Sequence, residues 1–224
     1  VYAADDPKPA DLDQTFQAPN GLTIRVKAIK PQNMETDLQI TGYFQHDPKG
    51  DIFIDVLIDM NNMLGGAVQN LRNRGEFVGY ERETLVITPP RGLMKPKRLM
   101  MIGYGPRNDI KLDTMSRVAG AVVREAIRLQ ATRPAYAPAL IDQGFKGFPP
   151  ASVGEAFIQG LVLAYDTEMR LQRQGLSKPF TFQEFALEAG PHYFKDVISG
   201  VEKGVEKARA EIGRRSIAPY SSTK

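Results

Sequence analysis

The chain contains no cysteine and only two histidines, His46 and His192, among 224 residues. The first absence excludes disulfides, thiolate zinc sites and cysteine nucleophiles together. The second leaves no histidine-rich metal site, because neither residue falls in an H-x-x-x-H pattern. His46 lies in the loop-like stretch His46-Asp47-Pro48-Lys49-Gly50 and His192 follows a proline, so they read as surface and helix-start residues rather than catalytic bases. No run of about 20 apolar residues exists, so no segment reads as a membrane-spanning helix. Blocks of like charge are missing too: 29 Lys and Arg are interleaved with 26 Asp and Glu, for a formal net charge of +3. That scatter argues against a nucleic-acid groove and leaves a mild preference for anionic partners. Ser116, Ser152, Ser177 and Ser199 lack the Gly-x-Ser-x-Gly setting of a nucleophile.

What is present is ordinary globular composition, 42% hydrophobic and 25% charged, at a length that suits one substantial domain. Residues 1–20 are rich in Pro, Asp and Ala and read as an irregular leader. At its start, Val1-Tyr2-Ala3 followed by Ala4 sets small residues where a signal peptidase reads, as the remnant of a removed signal peptide. An exported, periplasmic protein is the expectation, with a cytoplasmic one as the alternative. Residues 21–215 form the domain and 216–224 a polar, loose tail.

Within the domain, Leu22, Ile24, Val26 and Ala28 alternate with polar residues, which predicts a strand. Leu38 to Phe44, Thr84 to Thr88, Arg98 to Tyr104, Tyr136 to Ile141 and Phe180 to Leu187 are the other strand candidates. Met115, Val118, Ala119, Val122, Val123 and Ala126 make the buried face of a helix from about Asp113, capped by Asp113 or Thr114. Ser152 caps a long helix carrying Phe157 and Leu161, and Pro191 opens a terminal helix through Ile212.

The stretch Asp51 to Met60 is ambiguous in kind. Read as a strand, Ile52, Ile54, Val56 and Ile58 share a face; read as a helix, Ile54, Leu57, Asn61, Leu64, Val68 and Leu71 make one unbroken stripe. The helix is favoured, starting at Asp51 or Asp55 and closed by Gly75. It places Gly65-Gly66 in its interior, to admit a closely packed neighbour. Asp51, Asp55 and Asp59 then mark a capped or solvated helix start rather than a metal cluster. The whole order alternates strands with helices, which predicts a mixed, largely parallel sheet of about six strands covered on both faces, a three-layer α/β/α sandwich.

Three segments resemble the N-terminal domain of the leucyl aminopeptidase family: Leu64-Gly65-Gly66-Ala67 through Arg74-Gly75-Glu76-Phe77-Val78-Gly79, Met101-Ile102-Gly103-Tyr104-Gly105 with Arg117-Val118-Ala119-Gly120-Ala121, and Glu155-Ala156-Phe157-Ile158-Gln159-Gly160-Leu161 with Tyr165. The resemblance runs over residues 20 to 212 and implies a macro-domain-like fold, many examples of which bind ADP-ribose. That family's two-metal catalytic residues, including an Asn-Thr-Asp-Ala-Glu-Gly-Arg segment, have no counterpart here. No metal ligand, cofactor or peptidase activity is therefore expected.

Three functions follow. The first is a stand-alone, non-catalytic interaction, assembly or regulatory module, with self-association or a protein partner. The second is a small-ligand module for ADP-ribose or another phosphate-bearing nucleotide. Its binding residues would be Gly103, Tyr104 and Gly105, offering backbone N–H groups, and Arg107, gripping phosphate in a bidentate way. The third is one domain of a longer metallo-aminopeptidase.

Overall fold

The computed structural model describes residues 12–217. Residues 1–4, which carry the export expectation, and residues 218–224 of the tail lie outside them. Twelve elements follow in order: β1 (Asp13–Gln17), β2 (Thr23–Lys27), β3 (Leu38–Tyr43), α1 (Val56–Met63), α2 (Ala67–Asn73), β4 (Thr84–Ile87), β5 (Leu99–Gly103), α3 (Leu112–Arg128), β6 (Pro134–Ala137), α4 (Pro150–Arg173), β7 (Glu184–Glu188) and α5 (Phe194–Ile217). The strands form one sheet in the order β1-β2-β7-β6-β3-β5-β4. Its five inner strands run parallel, and β1 and β4 close the edges antiparallel.

The period-two pattern explains the layering. Val26, Leu187, Tyr136, Ile40, Met100 and Val86 stand in one register row across six strands. Their face packs on Met115, Val118 and Val122 of α3, Phe157 and Leu161 of α4, and Val201 and Val205 of α5. The opposite face is covered more thinly, by Leu57 of α1 and Val68 of α2 against Tyr43, Phe77 and Met101. A largely parallel sheet needs both covers, and the expected three-layer sandwich is the one found. On the thicker side, a Cβ on Gly160 would lie 2.4 Å from the Ser116 carbonyl oxygen, and one on Gly200 2.0 Å from that of Ala151. Glycine at these two positions lets α3, α4 and α5 touch backbone to backbone.

The sheet has seven strands rather than about six. The extra one is β1, inside the stretch that the sequence marks as irregular. Its residues are mostly polar and exposed, so no apolar alternation betrays it. Pairing with β2 holds it, together with Arg25, whose Nε and Nη2 donate to the Asp13 carboxylate at 2.8 and 2.6 Å.

The expected single helix through residues 54–72 is two helices. Between them Gly65 and Gly66 adopt φ of 63° and 82°, and a Cβ on Gly65 would meet nothing within 4 Å. The pair therefore supplies left-handed backbone, not room for a neighbour. The buried Asn61 of α1 turns this break into a cap: its Oδ1 accepts the Gln69 N–H of α2 at 3.0 Å. The three aspartates also part company. Asp55, at φ 45°, makes no cap with its side chain and binds Lys30, as Asp59 does. Helix α4 starts at Pro150, ahead of Ser152.

Asp51 does something else. It receives the Nε and Nη2 of Arg72 at 2.6 and 2.8 Å. Arg72 is 1% exposed, donates also to the Phe44 carbonyl at 2.9 Å, and lies 5.5 to 5.9 Å from the ring centroids of Tyr43, Phe77 and Phe53. Burial works to raise the Asp51 carboxyl, but Arg72 outweighs it and holds the group well below the usual carboxylate range. Its stabilisation is thus intact at neutral pH and is lost only in strong acid. Asp51→Asn leaves Arg72 charged and buried without its partner, and is expected to lower stability by about 3–5 kcal/mol in urea unfolding near neutral pH. A loss under about 1 kcal/mol, the scale of an exposed pair, would show that the pair is not needed.

Candidate functional site

The segment Gly103 to Arg107 folds into a crossing of backbones. The N–H groups of Gly103, Tyr104 and Gly105 donate to the carbonyls of Glu83, Tyr43 and Gly79 at 2.8, 2.8 and 2.9 Å, so none is left for a phosphate. A Cβ on Gly103 would lie 1.9 Å from the Tyr80 carbonyl oxygen; the glycine lets that segment pass. The Tyr104 side chain is buried, hydrogen-bonded to Tyr136 and to the Pro138 carbonyl, and burial pushes its phenol well above the ordinary value. Arg107 donates to the Gln143 carbonyl and lies 4.8 Å from the Phe44 ring centroid. The four residues are together, as expected, but they tie loops to one another instead of facing an open cradle. His46 is where the sequence puts it, near the surface, with Nδ1 2.9 Å from Asp51 Oδ2.

The site that the geometry offers lies elsewhere. A cleft of about 760 Å³ opens beyond the carboxyl ends of β2, β7 and β6. Chain direction makes it. From β6 and β7 the chain turns to α4 and α5 on one face, whereas from the neighbouring β3 it turns to α1 on the other. Connections that part to opposite faces leave a crevice at the strand ends. Ala28 and Ile29 follow β2, Ala139 and Leu140 follow β6, and Ala189 follows β7; Val153 and Phe157 of α4 and Val197 of α5 close the front, with Phe145 and Phe148 from the loop between β6 and α4.

Gln143 fixes this loop. Its Oε1 accepts the Phe44 N–H at 2.8 Å, and its Nε2 donates to the carbonyls of Gly42 and Ala139 at 3.1 and 2.9 Å. One buried amide thus joins the end of β3 to the cleft wall.

Few charged groups reach the cleft. Lys30 is held by Asp55 and Asp59 at 3.1 and 2.8 Å, and Lys27 stands 3.9 Å from Asp13. Burial, then the charge of Asp55, push the Asp142 carboxyl up to about 6, while the Val56 N–H at the start of α1 pulls the other way. Glu188, the last residue of β7, is 6% exposed, and both carboxyl oxygens are buried without a hydrogen-bond partner. Burial pushes this acid up to about 8, against the opposing pull of the Gln39 side chain. Anion-binding donors are scarce: Pro149 and Pro150 start α4 and Pro191 precedes α5, and proline has no N–H. Sequence reasoning missed Glu188, Asp142 and Gln143. The usable signal was positional, since ligands of such sheets bind beyond the carboxyl ends of strands.

The profile of the cytosol aminopeptidase family, N-terminal domain, matches residues 42–174. A probable cytosol aminopeptidase of Alkaliphilus oremlandii is 30% identical over 169 residues, covering 73% of this chain and 32% of that protein. One of Roseiflexus castenholzii is 27% identical over 143 residues, covering 63% of this chain and 25% of its own length. The chain thus spans a third or less of these relatives. Among solved structures, a mutant of tomato leucine aminopeptidase aligns at TM-score 0.65 and 18% identity over 92% of this chain and 40% of that one. The Oceanobacillus iheyensis macrodomain with MES bound aligns at 0.59 and 12% identity over 87% of this chain and 98% of that one. These two likenesses are of fold, and the macro-domain-like sandwich implied by the three sequence segments is confirmed.

Because folding raises the Glu188 acid from its ordinary 4.5 to about 8, the folded chain holds a proton there that the unfolded chain gives up. Stability therefore falls as pH rises through that window, by up to about 1.4 kcal/mol per pH unit from this residue. Glu188→Gln copies the neutral acid and should remove that share of the slope in urea midpoints compared at about pH 5 and about pH 8. An unchanged slope would show that Glu188 does not titrate in this window.

Proposed function

The chain belongs to the cytosol aminopeptidase family, in the N-terminal domain of that family, and we propose that it acts as a non-catalytic binding module whose small ligand occupies the cleft beyond β2, β7 and β6. The cleft carries this reading. Its volume of about 760 Å³ falls in the range of small-molecule sites, and its walls are mostly apolar with a few convergent polar groups. Among the described residues no three His, Asp or Glu side chains are grouped to hold a metal ion, and two-metal hydrolysis needs several such ligands. With leucine amide and manganese, the 224-residue chain is expected to release no leucine; turnover would overthrow the non-catalytic reading.

An ADP-ribose-like ligand is the reading that the resemblance suggests, and the Oceanobacillus iheyensis macrodomain has been solved with ADP and, as a mutant, with ADPR. In this chain the cleft presents Asp55, Asp142 and Glu188 and proline-headed helices. A diphosphate would face carboxyl groups and few N–H donors, so the lining favours a ligand without phosphate.

An assembly or regulatory role with a protein partner is favoured by a different observation. Ile52, Ile54, Ile58 and Met63, on α1 and the segment before it, are 50%, 47%, 37% and 37% exposed.

The cleft is tested by thermal unfolding with a panel of small apolar compounds and ADP-ribose, on wild type and on Ala189→Trp, which fills the cleft. A ligand at about a hundredfold excess over its dissociation constant adds about 2.7 kcal/mol. We expect a shift with apolar compounds, none with ADP-ribose, and loss of the shift in the variant. No response from wild type, or equal response from Ala189→Trp, would sink the reading.

A further inference from the structure

We infer that Asn20 is a deamidation site held shut by the fold: Asp166 and Arg173 grip its side-chain amide, and conversion of that amide to a carboxylate breaks the grip for good. The inference concerns the turn between β1 and β2 and does not depend on how the cleft is used.

The sequence supplies the chemistry. Asn20-Gly21 is the one Asn-Gly pair in the chain. In such a pair the main-chain nitrogen of the glycine can attack the asparagine Cγ, because no side chain on the following residue stands in the way. The new N–Cγ bond closes a five-membered imide, and ammonia leaves. Water then opens the imide at either carbonyl. One product is aspartate; the other is isoaspartate, whose main chain runs through the former side chain and is a methylene longer. A water is consumed and an ammonia released, with no change of oxidation state. Water has access here, since Gly21 is exposed and a Cβ on it would meet nothing within 4 Å.

The structure supplies the restraint. Asn20 lies at φ 62° and ψ 23°, in left-handed backbone that asparagine tolerates better than most residues. Ring closure needs Cβ and the next nitrogen to eclipse about the Cα–C bond, and at this ψ they stand on nearly opposite sides. The amide is fixed as well: its Nδ2 donates to Asp166 Oδ1 at 2.9 Å, and its Oδ1 accepts from Arg173 Nη2 at 2.7 Å. To react, the residue has to leave both partners and turn its backbone. A group kept out of near-attack geometry reacts slowly.

The same contacts make the product a misfit. The Asp166 side chain on α4 is 2% exposed. Its Oδ2 accepts from Arg170 Nε at 2.8 Å and lies 3.7 Å from Arg215, while its Oδ1 faces Asn20. A carboxylate at residue 20 removes that N–H and sets one negative charge against another, partly out of water. Arg173 gains an anionic partner, but on the exposed side, where an ion pair is worth little. The loss at the buried end therefore outweighs the gain. In isoaspartate the extra methylene also disturbs a hairpin whose strands pair Gln17 with Thr23 beside the turn. Deamidation thus releases this turn from α4.

The experiment ages the full chain at mildly alkaline pH, folded and in urea. It follows the tryptic peptide containing Asn20 by mass and by enzymatic methylation of isoaspartate. We expect the folded chain to react at least about tenfold more slowly than the unfolded one. Arg173→Ala, which opens the exposed half of the grip, should age faster than wild type while still folded. Asn20→Asp, the product itself, should have a lower urea midpoint than Asn20→Ser, which loses the grip without adding charge. That gap should close as pH falls through about 4, where the introduced acid takes up its proton. Equal ageing of folded and unfolded chain overturns the inference, as does Arg173→Ala ageing at the wild-type rate or Asn20→Asp matching wild type in stability. Should a variant fail to fold, aged wild type carries the test. Its deamidated fraction, separated by the added negative charge, must unfold at lower urea than the unmodified fraction, and coincident unfolding overturns the inference.

Discussion

The buried guanidinium of Arg72 is the constraint on which the thin side of this sheet depends. Two short helices cover that face, a thinner layer than α3, α4 and α5 make on the other. Arg72 compensates by joining α2 to Asp51 and to the Phe44 carbonyl within a ring of aromatic side chains. The Phe44 N–H continues the chain of bonds to Gln143, and Gln143 to the Ala139 carbonyl at the cleft. A charged residue in the back layer is thereby mechanically connected to the wall of the candidate site.

Much of the fold was legible because burial leaves a periodic trace. Ile24 and Val26 alternate with polar residues, and Met115, Val118 and Val122 recur at helical spacing; both patterns follow directly from which faces water can reach. Where a strand buries only one side chain, as β1 does with Phe16, no alternation is left to read. Where a break preserves phase, the trace misleads: Leu57 and Val68 reach the same cluster although two left-handed glycines separate their helices.

The site was far less legible, for a different reason. Gly103-Tyr104-Gly105 carries the local look of a phosphate loop, but a backbone N–H is a ligand donor only if no carbonyl takes it first, and that depends on residues 79, 43 and 83 coming alongside. Glu188 looks like an ordinary surface acid until strand order places it at the centre of the sheet beside β6. The acid's unusual proton affinity is a property of its surroundings, and sequence neighbours do not reveal those. Family likeness supplies the scaffold; the lining of the cleft has to be read from this chain.

The backbone contacts at Gly160 and Gly200 have a mechanical meaning for the cleft. They weld α3, α4 and α5 into a slab, and Phe157 and Val197 are part of it. The other rim is held by the Lys30 bridge to Asp55 and Asp59, between exposed side chains and beside a residue in left-handed backbone. The front wall is therefore fixed by backbone contacts and the other rim by exposed ion pairs, two fastenings of unequal strength at the mouth of the proposed site.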